Sequence, residues 1–126
     1  MRLFLKHEST GISASSDVTE IDCIHSYALS FASKQDKDSF NQALLRAINR
    51  WEPRGSFRLK DITEYKVHAT HGVGDNQWWV SLSFNKNCNM VNLGTIPMSL
   101  LGANYTSTTF TSRVKTVLNN WLKAYN

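Results

Sequence analysis

The sequence predicts an α+β domain, a two-layer sandwich in which a mostly antiparallel sheet of about four or five strands carries two helices on one face. Three observations point there. Ser107 to Tyr125 shows an unbroken apolar arc at helical spacing. Ser39 to Trp51 repeats the pattern in the middle of the chain. Most of the stretches around them alternate apolar and polar residues with a period of two, as half-buried strands do. The expected order is β-β-α-β-β-(β)-α. At 126 residues the chain makes one domain, and that length buries roughly two thirds of the unfolded surface, enough for a core without staples.

Arg2 to His7 reads as a short strand, with Leu3 and Leu5 on one face and Phe4 on the other. Glu8 to Asp17 is polar, with Gly11 and several serines, and predicts a loop or wide turn. Val18 to Ala32 fits two patterns. As a strand it aligns Ile21, Cys23, His25, Tyr27, Leu29 and Phe31 on one face; as a helix, Ile21, Ile24, Ala28, Phe31 and Ala32 form a stripe. The β-branched and aromatic content favours the strand. Ser33 to Asp38 is a polar lead-in to the first helix.

That helix places Phe40, Leu44, Leu45, Ala47, Ile48 and Trp51 on one face and Gln42, Arg46, Asn49 and Arg50 on the other. Asp36 or Asp38 can accept first-turn N–H groups. Pro53 stops the helix and Gly55 permits a change of direction. Phe57 and Leu59 then share a parity with Tyr65, Val67 and Ala69, with a bulge or break expected near Lys60 to Thr63. Trp78, Val80, Leu82 and Phe84 alternate with Trp79, Ser81, Ser83 and Asn85, which places Trp79 on the polar side of its strand. The turn residues of His71 to Asn76 make these two runs a hairpin.

Lys86 to Leu101 is the least regular stretch. Cys88, Met90, Val91 and Leu93 suit a short strand before Gly94, and Pro97 restricts the segment around it to an edge strand or an extended packing segment. In the last helix Phe110, Val114, Val117, Leu118, Trp121, Leu122 and Tyr125 form the buried arc, with Ser107, Thr108 or Thr109 as cap.

Composition narrows the function classes. No apolar run is long enough to span a membrane, and Met1 to Lys6 meets polar residues too soon for a signal peptide. Cys23 and Cys88 form no motif and read as reduced, packed thiols of a cytoplasmic protein. No cofactor motif and no metal-ligand spacing is present; Gly72-Val-Gly74 lacks the further glycine and lysine of a phosphate-binding loop. The net charge is +4, and no Asp or Glu follows Asp75. An acid-free end suits a polyanionic partner.

Two features suggest what that partner is. Arg46, Arg50 and Arg54 recur every fourth residue and are followed by Arg58 and Lys60; guanidinium forks match phosphate oxygens. Tyr65 and Trp79 supply aromatic surfaces on which unpaired bases stack. The expectation is a small non-enzymatic protein that contacts single-stranded DNA or RNA through Arg46, Arg50, Arg54, Arg58, Lys60, Tyr65 and Trp79. Two alternatives stand beside it. One is a protein–protein module, an inhibitor or adaptor anchored by Trp79 and the arginines. The other is a metal-independent ribonuclease of toxin type that uses His68, His71, Tyr65 and Arg58. His25, in an apolar alternation, reads as a core histidine.

Overall fold

The computed structural model describes residues 2–11, 21–51, 57–72, 74, 76–102 and 105–125, with the backbone alone at 9–11, 21–23 and 51. Five strands, β1 (Leu3–Gly11), β2 (Ile21–Phe31), β3 (Lys66–Gly72), β4 (Gln77–Ser83) and β5 (Met90–Pro97), lie in the order β1-β2-β3-β4-β5. Every neighbouring pair is antiparallel. Helix α1 (Lys34–Trp51) joins β2 to β3, and α2 (Ser107–Tyr125) follows β5. This is the expected two-layer α+β architecture in the expected order.

The pleat sorts the side chains. Leu3, Tyr27, Leu29, Val67, Ala69, Trp78, Val80, Leu82, Val91 and Ile96 are buried on the face that meets the helices. Helix α1 closes over them with Phe40, Ala43, Leu44, Ala47 and Ile48, and α2 with Phe110, Val114, Leu118, Trp121 and Leu122. The two helices also touch each other: the Phe40 and Trp121 rings lie 6.0 Å apart. The partial burial of Tyr65 is structural. Its ring meets Phe31 edge-on at 5.3 Å, and its hydroxyl donates to Asn41 Oδ1 at 2.6 Å.

Five local readings need correction or refinement. Strand β1 runs on to Gly11, because a bulge between His7 and Ser9 keeps the ladder to β2 going where composition alone indicates a loop. Helix α1 starts at Lys34, not Ser39. Ser33 Oγ accepts the Asp36 N–H at 3.1 Å and donates to the Asp36 carboxylate at 3.0 Å, so the polar lead-in is the cap and first turn. Phe57 and Leu59 do not extend β3; Leu59–Asp61 forms a short 3-10 helix, with the Arg58 N–H donating to Asp61 Oδ2 at 2.7 Å. The cap of α2 is Thr106, whose Oγ1 accepts the Thr109 N–H at 3.1 Å. Cys88 is an exposed free thiol rather than a packed one. The Pro53–Gly55 break, Arg54 and the side chains of Cys23 and Trp51 lie outside the described residues.

Strand β5 passes straight through Gly94. Its register against β4 shifts between Val80–Gly94 and Ser81–Asn92, so Leu93 is the extra residue of a bulge. Gly94 has φ +144°, and a Cβ there would stand 3.0 Å from Val117 Cγ1 on α2. The glycine lets the edge strand approach the helix. Gly94→Ala should lower stability by about 1–3 kcal/mol through overpacking, seen as a lower urea midpoint; an unchanged midpoint would mean that β5 and α2 are not in close contact.

Candidate nucleic-acid interface

Among the described residues, both helices lie on one face of the sheet, and the other face has no helix on it. The side chains there follow from register. Thr70, Trp79 and Thr95 stand side by side across β3, β4 and β5, and Ser26, His68, Ser81 and Asn92 form a row across β2 to β5. Lys6, Ala28, Lys66 and Ser83 form a further row across β1 to β4.

Trp79 is 43% exposed on this face, and Phe4 and Met90 are exposed there too. The cross-strand neighbours of Trp79, Thr70 and Thr95, are short side chains and leave much of its indole open to solvent. Lys66 lies four residues along β3 from Thr70, the partner of Trp79, which sets it about 13 Å from the indole along the strand. Among the described side chains of β2 to β5 on this face there is no carboxylate. Glu8 sits at the bulge in β1, the edge strand farthest from β5.

His68 also belongs to this face. Its Nδ1 lies 3.0 Å from Ser26 Oγ, and burial, then the Lys66 charge, holds its pKa below the ordinary histidine value.

The other predicted residues are elsewhere. Arg46 and Arg50 are exposed on α1, in the helical layer, with the sheet between them and Trp79. The Arg46 Nε donates to the Tyr125 carbonyl at 2.6 Å, so this guanidinium ties α1 to the last turn of α2. Arg58 and Lys60 are exposed around the 3-10 helix. Tyr65 packs against Phe31 and Phe40 under the Lys37 ammonium, 5.6 Å from its ring. Fold geometry therefore separates Arg46 and Arg50 from Trp79.

The four residues of the ribonuclease expectation are scattered as well. His68 is on the helix-free face, while His71 packs on Trp78 under the helices with ring centroids 5.1 Å apart. A different group of histidines comes together on the helix side. His7 Nε2 lies 3.2 Å from His25 Nδ1, and the His25 ring contacts Phe110 at 4.9 Å and Trp78 at 5.4 Å. Burial, then His7, lowers the His25 pKa. The buried Trp78 Nε1 has no hydrogen-bond partner. Parity with Leu3 and Leu5 puts His7 on the helix side, and the β1–β2 register brings it to His25. Among the described residues no group of three or more His, Cys, Asp or Glu side chains could hold a metal ion.

The depressed histidines make stability pH-dependent. His25 and His68 take up protons at higher pH in the unfolded chain than in the fold. Their contribution is therefore intact above about 6.5 and is lost as pH falls below it toward the folded values. The urea midpoint should drop between about pH 7.5 and 5.5, around the histidine range, and the drop should shrink in His25→Gln/His68→Gln. Equal pH dependence in parent and double variant would contradict this.

No protein-family profile, no curated protein and no solved structure matches this chain.

Proposed function

We propose that this protein binds single-stranded nucleic acid, DNA or RNA, on the helix-free face of its sheet and does so without catalysis. The observation that supports this most is Trp79: a large indole 43% exposed on the sheet face opposite the described helices, with lysines on the same face. Bases in a single strand are free to stack on such a ring, and the flanking ammonium groups meet the phosphates. A duplex keeps its bases stacked on one another and offers grooves that a flat sheet does not enter.

No helix among the described residues is long and apolar enough to cross a membrane. The exposed thiol of Cys88 suits a reducing compartment, so we assign the protein to the cytoplasm.

The test is fluorescence anisotropy of a labelled single-stranded oligonucleotide, as DNA and as RNA, across a salt series. Binding should appear at micromolar protein, weaken steeply with salt, and exceed binding to a duplex of the same length. If no salt-sensitive binding appears, the nucleic-acid proposal fails, and the same exposed indole would be read as an anchor for another protein.

A further inference from the structure

A concave site lies at the β5 edge of the sheet, where Met90 and Asn92 at the start of the strand border the helix-free face. It is a cleft of about 400 Å³ between the second half of α1, the end of α2 and the start of β5. That size is in the range of small-molecule sites. Its walls are apolar and half aromatic: Ile48, Phe57, Phe84, Met90, Val91 and Tyr125 line it. Phe57 stands edge-on to Phe84 with ring centroids 5.4 Å apart, so two aromatic surfaces of different orientation meet there. Among the described residues that line the cleft, none carries a charged side chain.

Two side chains supply polarity. Asn89 and Asn92 also line the cleft, and their amide orientations are fixed by what they already do. Asn92 Oδ1 accepts the Gly94 N–H at 3.1 Å, and Asn89 Oδ1 accepts from Asn85 Nδ2 at 2.9 Å. Each side-chain oxygen already accepts one hydrogen bond from the fold, which orients the amide and leaves its –NH2 group, a donor, for a visitor. Asn85 holds the Asn89 end in place: it is buried, and its own oxygen accepts the N–H groups of Asn87 and Asn89 at 3.1 and 3.2 Å. Apolar aromatic walls, donor groups and no charge are together complementary to one ligand chemistry.

We propose that this cleft binds an uncharged aromatic molecule of one or two rings bearing a hydrogen-bond acceptor, a carbonyl or a ring nitrogen. The rings lie against Phe57, Phe84 and Tyr125, and the acceptor takes N–H groups from Asn89 and Asn92. An anionic aromatic binds less well, because no cation among the described lining residues compensates the desolvation of its charge. This inference is independent of the nucleic-acid proposal.

The test uses coumarin as the acceptor-bearing probe, with naphthalene and 1-naphthoate for comparison, followed by two-dimensional amide NMR. Coumarin should saturate and shift the Asn89 and Asn92 side-chain amides together with the Val91 backbone amide. It should bind more tightly than either comparison compound. The variant Asn89→Asp/Asn92→Asp keeps both oxygens that the fold uses and removes both donors. It should keep the parent's urea midpoint and bind coumarin about tenfold more weakly, the change expected when a pair of hydrogen bonds is removed. Phe57→Ala, which removes one wall, should also weaken coumarin. No saturable shifts in the parent, equal binding of coumarin and naphthalene, or undiminished coumarin binding by either variant would each overturn the proposal.

Discussion

Trp121→Ala should lose about 3–5 kcal/mol of folding stability, the range for large aromatic side chains removed from cores. Trp121 is buried on α2, against Phe40 of α1 at 6.0 Å and Tyr125 at 5.3 Å. It therefore joins the two helices to each other, and truncation leaves a cavity at that junction as well as losing buried area. Set against a total of about 5–15 kcal/mol for a domain, the loss is a large fraction. The urea midpoint should fall steeply with little change in slope, since the unfolded surface is almost the same. A variant that unfolds at the parent's midpoint would mean that α2 is peripheral and the two-layer packing is wrong.

Trp79→Ala should have the opposite profile. The indole is exposed on the uncovered face, so stability should barely move. Affinity for a single-stranded oligonucleotide should fall by about 1–3 kcal/mol, the usual cost of removing a stacking platform, or roughly 5- to 150-fold. The salt slope should stay put, because no charge is removed. Lys6→Gln/Lys66→Gln should act through charge instead: the slope should shrink by roughly 0.7 for each phosphate that is no longer neutralised. Arg46→Gln provides a contrast. That guanidinium bonds the end of α2, so its loss should register in stability more than in binding. If Trp79→Ala binds as the parent does while Arg46→Gln abolishes binding, the contact surface is the helical layer.

The legibility of the fold followed the regularity of its elements. Helix α2 was readable end to end because its buried arc is continuous and nothing in it breaks the period. The Trp78/Trp79 pair was readable because strict alternation leaves one indole on each face, and Trp78 is indeed buried while Trp79 is exposed. Strand β5 was not, because the bulge at Leu93 moves the buried set from Val91 and Leu93 to Ile96 and so erases the period. The start of α1 was hidden for a similar reason: its first turn is polar, and only the Ser33–Asp36 cap marks it.

The candidate site was legible in part. Parity places Trp79 on a polar face, but which basic groups share that face depends on strand order. Lys6 and Lys66 are distant in sequence, and β2 puts them in one row, two strand spacings or about 10 Å apart. Arg46 and Arg50, one turn apart in sequence, sit on a helix in the other layer. The His7–His25 contact likewise depends on the β1–β2 register, which neither histidine's own neighbours reveal.

The central claim, that the helix-free face of the sheet is the contact surface, is tested most directly by titrating the labelled protein with a single-stranded oligonucleotide and following its amide and indole signals by NMR. The adjacent tryptophans serve as internal probes. The Trp79 indole N–H, with the amides of Lys66, Thr70, Ser81 and Thr95, should shift progressively, while the Trp78 indole and the exposed face of α1 stay in place. Shifts centred on Arg46, Arg50 and Arg58 with Trp79 unmoved would contradict the account.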